Sequence, residues 1–314
     1  MDRNEKILTC FDTTDELTIT NEFYQDFTKR LFSFLIESDL GVGDASQFPA
    51  KAYQQRVECA IIVKENGVAA GLEEIQFLLK KHGIESVTET KDGDNIKLGD
   101  VLMKIRGEAG RILALERTIL NILQRLCGIA TMTANYRSRI KRDNCYVIGT
   151  RKTLFGYWDK KAVQCGGGLS HRLNLEDAAM LKENHLDILD KTGCDDCLDK
   201  GLEEVVKNNE KLRFVEVEVT DEKQFWKVAY SLVRLQYDVN KVIMFDHFTI
   251  HQIKKIINEM QIKGIYDDIL LEASGNIDLE SIGAFAESGV DVVSSGALTH
   301  SVTGLDLSLL FDYN

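Results

Sequence analysis

The sequence predicts an α/β protein in which a mixed α+β unit of about a hundred residues leads into a β/α barrel. Three observations predict it. Beyond residue 144 there are six short apolar runs, and from the third onward they alternate with helical stretches, the pattern of strands buried in a parallel sheet. A long amphipathic segment, 111–141, separates them from a first part in which strand and helix signals are mixed. Polar side chains follow each apolar run in a consistent place, and β/α barrels assemble their sites at the C-terminal ends of their strands.

In chain order, "EFYQDFTKRLFSFLIESDL" (22–40) carries apolar residues at helical spacing, and "LGVGDAS" then makes a glycine-rich turn. "VECAIIV" (57–63) reads as a strand, "GLEEIQFLLKKHG" as a helix closed by Gly83, and "KLGDVLMKIRGEAG" as a short strand between turns. In the long segment, Leu113, Leu120, Leu123 and Ile129 recur at helical spacing. Gly128 inside it costs the helix about 1 kcal/mol against alanine, which close packing would offset. The six runs are "CYVIGT", "AAMLKEN", "RFVEVEV", "KVIMFDH", "ILLEASG" and "DVVSSGA", with helices such as "EKQFWKVAYSLVRLQ" and "TIHQIKKIINEMQ" between them. "AVQC" (162–165) is a candidate seventh strand, and six or seven such runs suggest a β/α barrel, an incomplete one at that count.

The whole chain bounds the function. At 314 residues it is long enough for two domains, and its formal charge of -12 argues against a nucleic-acid partner, which needs a basic face. The charged start "MDRNEKILTCFDTTDEL" has no apolar signal core, and no apolar run is long enough to cross a bilayer; the expectation is a cytoplasmic protein with no membrane association. Seven scattered cysteines fit reduced thiols better than a disulfide framework. Cys194 and Cys197 have metal-ligand spacing, but a zinc site needs two more ligands and no second pair exists, so a polar turn is the better reading.

Against this acidic background, "TRKTLFGYWDKKAVQCGGGLSHR" (150–172) gathers Arg151, Lys152, Lys160, Lys161, His171 and Arg172 around a triple glycine, which suggests an anion. Arginine binds carboxylates through two parallel N–H bonds, and several basic groups together suit a ligand with more than one carboxylate or phosphate. "EASGNI" and "SSGALTHS" place small residues after consecutive strands, the usual barrel phosphate site, to which His300 would add a donor. Lys182, Glu183 and Asn184 close the second run. Glu218 and Asp246 sit at strand ends; such a pair suits acid–base work or, with phosphates nearby, magnesium. Glu216 projects from the same strand face as Glu218, and periodicity leaves open which of them faces the site. Cys165 beside the glycines reads as packed rather than reactive.

These motifs, with "LGVGD", "LGDVLMKIRGEAGRILALERTILNILQRLCGIAT", "TRKT", "CGGGLSHR", "AAMLKENH", "VEVEV", "FDH", "LEASG" and "GVDVVSSGALTHS", resemble quinolinate phosphoribosyltransferases over nearly the whole chain. The resemblance implies an N-terminal α/β sandwich domain (1–116), a C-terminal open β/α barrel (117–300) and a tail (301–314) returning to the first domain. It implies a homodimer, or a higher oligomer, acting on quinolinate and phosphoribosyl pyrophosphate with Mg2+, and releasing nicotinate mononucleotide, pyrophosphate and CO2 in NAD biosynthesis.

By the same resemblance Arg117 reaches the neighbouring subunit's site, and Arg151, Lys152, His171, Arg172 and Lys182 bind the quinolinate carboxylates and adjacent phosphates. Glu218 and Asp246 serve magnesium and the ribose; Lys152, Lys182, Glu218 and Asp246 form the catalytic set. Ser274, Gly275, Asn276, Gly296, Ala297 and His300 surround the 5′-phosphate. The chain departs from the family pattern at Leu154-Phe155-Gly156, at Asn276, where a glycine is usual, and at His247, where an asparagine is usual. Two other readings share the motifs: a related protein associated with molybdenum transport, and a non-catalytic anion-binding protein. Retention of Arg117, Arg172, Lys182, Glu218 and Asp246 together argues against both.

Overall fold

The computed structural model describes residues 1–46, 51–191, 196–209 and 211–311. The chain divides into two compact units, each assembled from separated segments: 1–12, 135–152 and 168–297 form one, and 13–134, 153–167 and the residues from 298 onward form the other. The contiguous division expected at 116/117 and 300/301 does not coincide with these units.

The second unit holds an antiparallel sheet in the order β12-β1-β5-β3, with β1 at Arg56–Val63, β3 at Glu85–Val87, β5 at Val101–Glu108 and β12 at Leu307–Phe311. A two-stranded pair, β2 (Gly67–Val68) with β4 (Asn95–Ile96), lies beside it in sequence. The C-terminal β12 pairs along β1, Ile61 opposite Leu309. Helices α2 (Glu22–Leu40), α3 (Leu72–Lys81), most of α4 (Ala109–Arg139) and α5 (Tyr157–Cys165) complete the unit. The segment "AVQC" is therefore the last turn of a helix, not a strand. Asp159 decides this locally: its carboxylate accepts the N–H groups of Leu154 and Phe155 and takes a bidentate ion pair from Arg125, fixing the loop that leads into the helix. Gly128 packs closely, since a Cβ there would lie 2.2 Å from the Thr303 carbonyl.

The first unit is the barrel. Its six parallel strands are β6 (Tyr146–Ile148), β7 (Ala179–Leu181), β8 (Phe214–Val219), β9 (Asn240–Asp246), β10 (Leu270–Ser274) and β11 (Val292–Ser294), in the order β6-β11-β10-β9-β8-β7. β6 and β7 are edges that do not pair with each other, so the barrel is open; Leu169 bridges to Ile148 in that gap. Helices α6 (Glu183–Asp190), α7 (Cys197–Lys207), α8 (Glu222–Arg234), α9 (Ile250–Lys263) and α10 (Ile282–Ala286) connect the strands, and α11 (Ala297–His300) follows β11.

The first helix, α1 (Arg3–Phe11), belongs to the barrel, contrary to the sequence expectation for residues 1–116. Its buried face, Ile7, Cys10 and Phe11, shares one core with Ile148, Leu169, Ala178, Phe214, Val242, Leu270 and Val292. Arg3 anchors it with a bidentate pair to buried Asp291 and bonds to the Tyr266 and Ile269 carbonyls. An open barrel leaves interior apolar surface to cover, and α1 covers it.

Candidate active site

Strand register builds the site in layers, because paired residues of a parallel sheet project to the same face. Glu216 is level with Val242 and Leu270; Glu218 with Met244, Glu272 and Val292; Asp246 with Ser274. Successive layers climb toward the C-terminal ends of the strands, where the mouth lies.

At the mouth, Lys182 closes β7 and forms an ion pair with Glu218, whose side chain is 15% exposed. Asp246 ends β9, with its carboxylate 3.9 Å from the His247 ring. Arg151 and Lys152 are exposed just beyond β6. Past β10 the backbone takes consecutive positive φ values, 100° at Gly275 and 52° at Asn276, so the asparagine occupies the left-handed region it tolerates better than most residues. His247 also has positive φ, and its N–H donates to the Ser274 carbonyl at 3.1 Å. The Ser295 hydroxyl donates to the Ile277 carbonyl at 2.9 Å, tying the turn after β10 to that after β11, where Gly296 and Ala297 follow half-buried.

One layer down, His171 and Arg172 enter the barrel from the segment that fills the gap between β6 and β7. Both are buried. The His171 Nε2 lies 2.8 Å from Glu216 Oε2 and 3.4 Å from Glu272 Oε2, and its Nδ1 accepts the Arg172 backbone N–H at 2.8 Å. Burial alone would lower the imidazole pKa, but the charges of Glu216 and then Glu272 hold it up at about 9. The Arg172 N–H acts the other way, since only an unprotonated Nδ1 accepts it. Burial, then Glu272, raises the Glu216 carboxyl to about 7. The group titrates as a unit. Burial, then the charge of Arg151, lowers the Arg172 guanidinium, while its Nη1 donates to the Ala178 carbonyl.

The structure sorts the sequence candidates. Arg151, Lys152, Arg172, Lys182, Glu218, Asp246, Ser274, Gly275, Asn276, Gly296 and Ala297 all lie in the barrel unit, on strand ends, on the segments that follow them or on the gap segment. Glu218 is the glutamate at the mouth, and Glu216 is the one beneath it. His171, named in the sequence for a ligand carboxylate, has both ring nitrogens within hydrogen-bond distance of barrel groups, Glu216 and the Arg172 N–H. Lys160 and Lys161, grouped with the anion cluster in the sequence, fall in the second unit; Lys161 is held by Glu73 and Glu74. Arg117 and His300 also fall in that unit: Arg117 is exposed on α4, and the His300 Nδ1 is 2.6 Å from the Ser301 hydroxyl.

Sequence reasoning missed Glu272, and the signal was an acid in the middle of the apolar run "ILLEASG", where a charge demands partners. Cys194 of the Cys194/Cys197 pair lies outside the described residues, and Cys197 is buried at the start of α7. The Cys165 thiol is pushed well above its ordinary value by burial, as an unreactive thiol should be. Among the described residues, no helix is long and apolar enough to cross a membrane.

Comparison with known proteins agrees with this architecture. Residues 42–127 match the family described as quinolinate phosphoribosyl transferase, N-terminal domain, and residues 129–310 match its C-terminal domain. A probable nicotinate-nucleotide pyrophosphorylase [carboxylating] of Archaeoglobus fulgidus is 36% identical over 271 residues, covering 85% of this chain and 97% of the relative. The protein of the same description from Bacillus subtilis is 33% identical over 288 residues, covering 90% and 92%. The crystal structure of NadC from Streptococcus pyogenes superposes with a TM-score of 0.76 at 32% identity, covering 91% of this chain and 97% of that one. With matches to both domains and relatives spanned almost end to end, the chain belongs to the quinolinate phosphoribosyltransferase family.

Proposed function

We propose that this chain transfers the phosphoribosyl group of phosphoribosyl pyrophosphate to quinolinate and decarboxylates the product to nicotinate mononucleotide, a step of NAD biosynthesis. The observation that carries the reading is the charge pattern at the barrel mouth. Burial, then the charge of Arg151, lowers the Arg172 guanidinium, and Lys182 stands at the end of β7 in the same barrel; basic groups gathered this way suit a ligand with two carboxylates. Arg151, Lys152 and Arg172 would hold the dicarboxylate, with His171 fixing Arg172 from below. Ser274, Gly275, Asn276, Gly296 and Ala297 would surround the 5′-phosphate, where glycine lets the phosphate approach backbone N–H groups.

The ring nitrogen attacks the anomeric carbon, the nitrogen–carbon bond forms, and the carbon–oxygen bond to pyrophosphate breaks. Lys182 stabilises the leaving charge. The carbon–carbon bond to the adjacent carboxylate then breaks and CO2 leaves; the electron pair remains on the ring, next to the quaternary nitrogen, and takes a proton from solvent. No protein base is required. Glu218 and Asp246 offer the oxygen donors that magnesium prefers, and that ion would supply charge neutralisation to the pyrophosphate. The enzyme would work in the cytoplasm.

Incubating the protein with quinolinate, phosphoribosyl pyrophosphate and magnesium should yield nicotinate mononucleotide and CO2. Nicotinate, lacking one carboxylate, would leave a buried arginine unpaired at a cost of about 2–5 kcal/mol, so its turnover should fall at least thirtyfold. Equal use of nicotinate would overturn the dicarboxylate reading. The enzyme would be a homodimer in which Arg117, exposed on α4, serves the partner's site. Inactive Arg117→Ala and Arg172→Ala chains, refolded together, should recover roughly a quarter of wild-type sites, because half the dimers are mixed and each restores one site. No recovery, with subunit exchange established by mass spectrometry, would place Arg117 outside the site.

A further inference from the structure

We infer that Glu272 is a positioning residue: with Glu216 it clamps the His171 imidazole, which fixes the backbone of the anion-binding Arg172. The inference rests on the proposed dicarboxylate site. His171, Glu216 and Glu272 present ligand atoms within 4.8 Å of one another, and all three are buried. Among the described residues, both Glu272 oxygens and the Oε1 of Glu216 lack a hydrogen-bond partner.

A metal ion could satisfy those oxygens, but the imidazole argues against one. A metal on Nε2 requires Nδ1 to carry the proton, or the ring to lose both. Yet Nδ1 accepts the Arg172 N–H at 2.8 Å, so the proton belongs on Nε2. From there it points at Glu216, 2.8 Å away, and at Glu272, 3.4 Å away. The two carboxylates thus fix both the tautomer and the plane of the ring. The ring in turn fixes the peptide of Arg172, whose guanidinium is held at its other end by the Ala178 carbonyl. Loss of Glu272 leaves the ring free to turn about its single bond to Glu216.

The test compares Glu272→Ala with Glu272→Gln, which keeps an oxygen at the same reach of Nε2, 3.4 Å, without the charge. Glu272→Ala should weaken quinolinate about tenfold, both as KM and as affinity by calorimetry. kcat and the KM for phosphoribosyl pyrophosphate should stay within about twofold. Glu272→Gln should recover most of the loss. Equal losses for both substrates, unchanged quinolinate affinity in the alanine variant, or a glutamine variant as weak as alanine would each overturn the inference. Wild-type protein that binds no quinolinate would instead defeat the proposed function. Should Glu272→Ala fail to fold, nitrogen chemical shifts of wild-type His171 still decide. At about pH 10, above the value of about 9 at which the imidazole gives up its second proton, the proton should reside on Nε2 with Nδ1 bare, and added zinc should leave the shifts unchanged; a protonated Nδ1 at that pH or a zinc-dependent shift would overturn the assignment.

Discussion

Replacing Gly275 by alanine probes the mouth at its tightest point. Gly275 has φ of 100°, a conformation L side chains rarely adopt, and a Cβ there would lie 2.7 Å from the His247 backbone nitrogen and 2.8 Å from its Cγ and Nδ1. The ring can swing away. The nitrogen cannot without loosening its 3.1 Å bond to the Ser274 carbonyl, and that bond joins the ends of β9 and β10 where Asp246 faces Ser274. Backbone strain of about 1–3 kcal/mol and overpacking of about 1–3 kcal/mol together predict a loss of about 3 kcal/mol. Part should appear as stability and part as a tenfold or greater rise in KM for phosphoribosyl pyrophosphate, with quinolinate affinity little changed. Steady-state kinetics and a denaturation curve on the same protein separate the two. Adding His247→Ala removes the ring contacts but not the backbone one, so it should restore only part of the loss. A Gly275→Ala enzyme with wild-type KM and stability, or complete rescue by His247→Ala, would refute the reasoning.

Gly128→Ala should cost a net 1–2 kcal/mol in urea unfolding, since about 1 kcal/mol of helix propensity is outweighed by a Cβ driven against the Thr303 backbone. Gly201→Ala in α7 meets only Leu189 side-chain atoms at 3.0–3.1 Å and should be neutral or mildly stabilising. Asp246→Asn should weaken use of phosphoribosyl pyrophosphate while calorimetry finds quinolinate binding intact; the reverse pattern would refute the role proposed for Asp246. In the second unit, burial, then the charge of Glu74, lifts Asp92 from 3.8 to about 6. A raised acid favours the folded state while protonated, so its contribution is full below 3.8 and is lost as pH rises through 6, about 3 kcal/mol in all. Asp92→Asn keeps an oxygen for the Leu72 N–H, so it should flatten the pH dependence of stability between 4 and 6 and stabilise the protein at neutral pH.

The six barrel strands were legible because strands buried on both faces must be continuous and apolar, and the polar residues after "KVIMF" and "ILLEA" marked the mouth. "AVQC" was misread because four residues carry no period; what made it helical was Asp159 collecting two N–H groups and Arg125, a partner 34 residues away. Charge alone could not tell Lys161, spent on Glu73 and Glu74, from Arg151 and Arg172.

Sequence by itself determined the family, the strands, and the residue types at their ends, because these depend on local pattern and order. Tertiary structure alone decided that α1 fills the barrel, that Glu218 rather than Glu216 stands at the mouth, and that Glu272 backs His171. Those outcomes depend on strand register and on which buried surface lacks cover, and both are set by residues far apart in the chain meeting in one interior.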